Sequence, residues 1–145
     1  MTTSNSTRAA TLVDALRAGI ERDRDALRAV FTADVRAWTP GLSTASLDEL
    51  IEELERRDDA FSDVAFEPTP LDVGGEFSCV EWTVEMTHTG PITLAGGASI
   101  EPTNLRIVLH GVTVAEFEGE QICSLRQYWD EFAVLDQLGV LAQDG

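Results

Sequence analysis

The chain has 145 residues, 43% of them hydrophobic, which suits one domain with a buried core. Its formal net charge is −16, and all 10 of its basic residues are arginine. That balance excludes nucleic acid and anionic membrane surfaces as partners, because both require a basic footprint. No apolar run approaches the length of a membrane span. The opening MTTSNSTRAATL has neither the basic front nor the apolar stretch of a secretory signal, so a cytoplasmic protein is expected, with residues 1–8 a flexible polar lead-in to a domain over 1–145. The carboxylate excess suggests adaptation to high salt, where counterions screen self-repulsion; a GC-rich genome would also replace Lys by Arg. Thermal unfolding should therefore shift upward between dilute buffer and molar potassium chloride, and equal stability in both would remove the halophilic reading.

Along the chain, Thr11–Ala18 and Asp23–Phe31 carry apolar residues at helical spacing, with a break between them at Gly19 and the charged ERDRD stretch. Asp34–Trp38 reads as a short strand closed by Pro40-Gly41. Ser46 is a helix N-cap with Glu49 in capping-box position, and the helix it opens, Leu47–Phe61, has one apolar stripe and one acidic face. The period then changes. Val64–Val73 is extended and carries Pro68 and Pro70, as suits an edge strand, and Gly74-Gly75 marks a turn. In FSCVEWTVEMTH the alternation is clean: Val80, Trp82, Val84, Met86 and His88 share one face. A Gly-rich loop follows over residues 90–102. Asn104–Glu116 is a long strand, Glu118-Gly119 a turn, and Gln121–Trp129 the last strand. Phe132, Leu135 and Leu138 then form a short helical stripe with Gly139 as its C-cap. Helices early and strands late predict an α+β fold: a curved antiparallel or mixed sheet wrapped around a cavity by the N-terminal helices.

Two cysteines, Cys79 and Cys123, fall in predicted strands without CxxC spacing, and read as a buried reduced pair; the sequence leaves a disulfide open. With His88 and His110 the only histidines, no dedicated transition-metal site is expected.

The C-terminal half resembles a known family. Trp82 precedes Thr87-His88-Thr89-Gly90; Pro102-Thr103-Asn104 follows, with Asn in place of a turn glycine; then come Gly111, Asp130 and Gln137-Leu138-Gly139. This pattern resembles the SnoaL-like polyketide cyclases of the nuclear transport factor 2-like superfamily. The resemblance implies a cone-shaped, cystatin-like sheet closed by helices around a deep apolar cavity. It also implies cofactor-free acid/base chemistry, an aldol ring closure or isomerisation of a small lipophilic carbonyl compound, in which Asp130 acts as general acid/base. A homodimer paired through the convex sheet face is implied as well, and superfamily members that only bind their ligand offer a second reading.

Such chemistry needs a base beside an enolisable carbon and a donor for the enolate oxygen. Asp130 is read two ways, as that base among Tyr128, Trp129 and Phe132, or as the N-cap of the EFAVLDQL helix. His110 is the candidate donor, with a hydrogen-bonded rim histidine as its plainer reading. Trp38, Phe61, Trp82, Met86, His88 and Tyr128 are candidate pocket walls for a flat ligand, though each also suits plain core packing, and His88 also suits a structural bond to its following loop. Strict alternation puts Tyr128 with Asp130 and sends Trp129 to the opposite face, where a dimer interface would account for it. Arg106 and Arg126 raise an epoxide hydrolase alternative, but the Arg-x-Asp strand pattern of that chemistry is absent.

Overall fold

The computed structural model describes residues 3–57, 60–71, 74–93 and 97–140. The elements are α1 (Thr3–Glu21), α2 (Arg24–Val30), β1 (Phe31–Thr39), β2 (Leu42–Thr44), α3 (Leu47–Arg57), β3 (Phe61–Leu71), β4 (Phe77–His88), β5 (Ile92–Thr93), β6 (Ser99–Ile100), β7 (Arg106–Glu118), β8 (Gln121–Trp129) and α4 (Glu131–Gln137). The main sheet has six strands in the order β2-β1-β8-β7-β4-β3. β1 runs parallel to β8 and every other neighbouring pair is antiparallel. The fold is therefore α+β on a curved, unclosed sheet.

β4 and β7 pair along their whole length, so the natural strand twist accumulates over a long ribbon and curls it. α1 lies across β3 and β4, while α2 and α3 lie across β1. The core lies between these layers: Leu12 and Ala15 of α1, Leu27 of α2, Leu50 and Ile51 of α3 are buried against Val80, Ile107, Ile122 and Leu125 of the sheet. No helix among the described residues is long and apolar enough to cross a membrane.

Local chemistry explains most boundaries. Asp23 caps α2, its carboxylate accepting the Ala26 N–H at 3.1 Å. Ser46 Oγ accepts the Glu49 N–H at 3.2 Å, and the Glu49 carboxylate returns to the Ala45 N–H at 2.8 Å, a one-residue variant of the capping box. β3 is an edge strand, as its prolines require. Gly74 and Gly75 both take the positive φ that the β3–β4 turn demands.

Several boundaries differ from expectation, with β1 at Phe31–Thr39, β3 at Phe61–Leu71 and β7 at Arg106–Glu118. α1 begins at Thr3 rather than Thr11, and Arg8 within it donates to the Gly75 carbonyl at 2.7 Å and the Gly119 carbonyl at 3.1 Å and lies over the Phe117 ring. Phe61 belongs to β3 and pairs with His88 rather than extending α3. β2 turns back on β1 through Pro40-Gly41, with three residues too short to show a period. The Gly-rich loop carries the small β5–β6 hairpin. Cys79 and Cys123 are free thiols, and burial pushes both above the usual thiol range.

Candidate functional site

A cavity of about 250 Å³ lies between the inner face of the sheet and the helices. Its walls are Leu16 and Ile20 of α1, Leu54 of α3, Phe61 and Phe66 of β3, Trp82, Val84 and Met86 of β4, Leu109 of β7, and Val134 and Leu135 of α4, with smaller neighbours between. Thr39, Gln127 and Glu131 interrupt this apolar lining, and Glu131 is the ionisable side chain among the described residues of the wall.

Register decides which side chains reach the cavity. β8 faces inward at Leu125, Gln127 and Trp129, because Trp129 pairs with Gly111, itself opposite Trp82 on β4. Continuing the alternation one step past the strand brings Glu131, the first residue of α4, to the same side. The Trp129 Nε1–H donates to Glu131 Oε1 at 2.6 Å, a short charge-assisted bond that holds the half-buried carboxylate in place. Behind it, Thr113 Oγ1 is fully buried and accepts both the Trp82 Nε1–H at 2.9 Å and a Gln127 amide hydrogen at 3.0 Å. This network orients Gln127 and leaves its second amide hydrogen to donate to a ligand. Trp82 lies against Gly111: a Cβ built there would fall 2.3 Å from Cζ2 and Cη2 of the indole and 2.8 Å from the Tyr128 carbonyl oxygen.

α4 closes this end of the cavity. Asp130 caps it, with Oδ1 accepting the Ala133 N–H at 3.3 Å, and Gly139 ends it at φ 81° with the Val140 N–H bonded to the Leu135 carbonyl. Gln137 clasps β7: its Oε1 accepts the Val108 N–H and its Nε2 donates to the Val108 carbonyl, both at 2.8 Å.

The expected site residues divide accordingly. Phe61, Trp82 and Met86 line the cavity. Asp130 does not: its side chain is exposed and serves as the cap. His110 is likewise exposed on the outer face, its Nδ1 3.1 Å from Thr83 Oγ1, so the hairpin does not bring it to the cavity. Trp38 and Tyr128 are 42% and 45% exposed and stack on each other outside, 5.2 Å between centroids. Trp129, expected at a convex interface, faces inward instead. His88 is fully buried but stands apart from the lining. Its Nδ1 accepts the Thr103 N–H at 3.1 Å and so anchors the loop before β7, whose Asn104 takes the left-handed conformation at φ 60°. Arg106 spans Asp63 and Glu85, and Arg126 is exposed on the outer face, so neither forms an Asp-Arg-Asp set with cavity carboxylates. Glu131 and Gln127 were missed; counting in twos groups both with Leu125 and Trp129, but which face lies inside is set by the pairing of β8 with β7.

Residues 9–125 match the SnoaL-like domain. The chain belongs to the SnoaL-like family. The matched span ends before α4, so Asp130 and Glu131 lie beyond it. No curated protein matches this SnoaL-like chain. Among solved structures it is similar to a protein from Jannaschia sp. CCS1 assigned to the SnoaL-like polyketide cyclases, with TM-score 0.81 and 16% identity over 96% of this chain and 95% of that one. It is also similar to a protein with a ketosteroid isomerase-like fold from Catenulispora acidiphila, solved in complex with trimethylamine (TM-score 0.71, 18% identity, 93% and 96% covered). A third is an LEH-like epoxide hydrolase from M. tuberculosis (TM-score 0.67, 17% identity, 93% and 91% covered). At these identities the likeness establishes the shared fold.

The cap and the cavity carboxylate are separable in this SnoaL-like domain. Asp130→Ala should cost about 1 kcal/mol of stability, read as a lower thermal midpoint, while ligand binding in the cavity is unchanged. A loss of binding at full stability would place Asp130 in the site after all.

Proposed function

We propose that the protein is a cofactor-independent acid/base catalyst acting on a small lipophilic carbonyl compound, by enolisation leading to aldol-type ring closure or isomerisation. Glu131 takes and returns the proton, and the Gln127 amide donates to the developing enolate oxygen. The observation that carries this reading is one carboxylate, fixed by Trp129, on a wall that is apolar apart from Thr39 and Gln127. Such surroundings withhold the water that would stabilise a competing charge and strengthen each hydrogen bond to the reacting oxygen. Family membership supports the reaction class, and the cavity supports the substrate's size and polarity. The test is proton exchange at the enolisable carbon of 1-tetralone, a flat apolar ketone, in deuterated buffer. Acceleration that depends on Glu131 supports catalysis; binding without acceleration would make the protein a ligand carrier of the same fold.

The outer face supports a second copy as partner. Trp38 and Tyr128 are exposed and in contact there, and apolar side chains grouped on a sheet face mark an interaction surface. Trp38→Glu should convert a dimer in sedimentation velocity to a monomer, and a wild-type chain sedimenting as a monomer would sink this pairing.

A further inference from the structure

Thr39, the last residue of β1, stands in the cavity wall next to Gln127. Trp38 and Arg126 are partners in the parallel β1–β8 pair, so the next residues on the two strands, Thr39 and Gln127, lie side by side on the inner face. Thr113 holds Gln127 from the other flank, since those two are partners between β7 and β8. The inner face thus carries a polar row of Thr39, Gln127 and Thr113 across three neighbouring strands. Trp129, the next inward residue of β8, holds the Glu131 carboxylate beside this row.

Thr39 is 6% exposed, and its hydroxyl has donor capacity left over. Its Oγ1 accepts the Gly41 N–H at 3.1 Å, which fixes the side chain at the β1–β2 turn. That bond uses the oxygen alone. The hydroxyl proton meets no acceptor among the described residues. A buried donor that faces an apolar cavity without an acceptor is unfavourable, so its place there calls for a ligand that accepts it.

Strand spacing makes the two donors converge. Side chains paired across neighbouring strands are rooted about 4.8 Å apart. Two donors that reach the two lone pairs of one sp² oxygen, each at about 2.9 Å and about 120° from the other, stand about 5 Å apart. A carbonyl or enolate oxygen between Thr39 and Gln127 can therefore accept from both within the ordinary geometry of the sheet.

We propose that Thr39 is a second donor to the reacting oxygen: its hydroxyl and the Gln127 amide together hold the oxygen of a bound ketone and of its enolate, while Glu131 works on the adjoining carbon. The assignment deepens the acid/base reading above and rests on it for the chemistry; the hydrogen bond to a bound oxygen stands without it. No bond forms or breaks at Thr39. Glu131 takes the carbon-bound proton, negative charge gathers on the oxygen, and two preset donors stabilise that charge more than they stabilise the neutral carbonyl.

The test compares 1-naphthol, the aromatic counterpart of the 1-tetralone enol, with 1-methylnaphthalene, which puts a methyl group where the oxygen was. Both are measured against the full chain by equilibrium dialysis. Wild type should prefer 1-naphthol. Thr39→Val keeps the shape of the side chain and should weaken 1-naphthol about tenfold while 1-methylnaphthalene holds. The Gly41 N–H also loses its acceptor in that variant, so the thermal midpoint should fall, but the ratio of the two affinities cancels a general loosening. Thr39→Ser should restore the ratio, and Thr39→Ala reads it if the valine chain fails to fold. In 1-tetralone exchange, Thr39→Val should lower kcat roughly 10²-fold with little change in KM. A wild type without the preference, or a ratio that Thr39→Val leaves unchanged, overturns the proposal. If Glu131-dependent exchange persists in that case, only Thr39 falls. A ratio that depends on Thr39 beside exchange that ignores Glu131→Gln keeps the donor pair and removes the acid/base reading.

Discussion

Glu131→Gln should abolish proton exchange in the cavity while leaving the fold intact. The amide is nearly the size of the carboxylate, and its oxygen still accepts the Trp129 Nε1–H, so the short bond that orients residue 131 persists in weaker form. The cap of α4 is untouched because it belongs to Asp130. What disappears is the capacity to accept and release a proton, and a positioned acid/base group contributes roughly 10²- to 10⁴-fold to rate. The measurement is 1-tetralone exchange alongside ligand affinity and thermal midpoint. Affinity and midpoint should hold while the rate falls by that factor. Asp130→Asn is the control: asparagine caps as well as aspartate, so neither rate nor midpoint should move. A variant at 131 with full activity, or one at 130 without it, would reverse the roles of the two adjacent carboxylates.

Gly111→Ala should be the most destabilising single-methyl change near the site. The added Cβ would lie 2.3 Å from the Trp82 ring and 2.8 Å from a backbone oxygen, far inside contact distance. The indole has little freedom to yield: Trp82 is 7% exposed, and its Nε1–H is committed to the buried Thr113 hydroxyl. Either the ring swings into the cavity and strands its own Nε1–H, while Thr113 keeps only the Gln127 donor, or the β7–β8 pairing at Tyr128 gives way. Overpacking costs about 1–3 kcal/mol, and an orphaned buried polar group adds about 1–3 kcal/mol. A loss of about 3 kcal/mol or more is expected, together with weaker ligand binding and an altered near-ultraviolet tryptophan signal. Trp82→Phe in the same chain should recover part of the loss, since the smaller ring vacates the space. Simple additivity of the two changes would show that they do not meet.

The strands were legible where both faces of the pattern were strong. β4 has the expected limits because apolar and polar residues alternate along it, and β8 also has them, although a register shift at Glu116/Phe117 breaks its alternation so that Ile122 and Leu125, three apart, are both buried. Elements set by distant contacts were not legible: Arg8 fastens the start of α1 to turns 67 and 111 residues away, and no local pattern records that. At the site, the family pattern drew attention to Asp130, a residue whose cap chemistry was already visible. Parity carried the better information, since placing Tyr128 and Asp130 together on one face commits Trp129 and Glu131 to the other. Which face was inside depended on the register with β7, where Gly111 leaves room for Trp82, and that required the paired strands.

β7 runs past the end of β8, whose pairing with it begins at Gly111, so residues 106–110 have no strand partner on that side. Gln137 fills part of the gap with an amide that imitates one residue of a neighbouring strand. Raw strand edges template polymerisation. The side chain that docks the closing helix therefore also blocks the stretch of backbone best placed to recruit a foreign strand, and a chain without it would be open to aggregation from the same seam that guards its cavity.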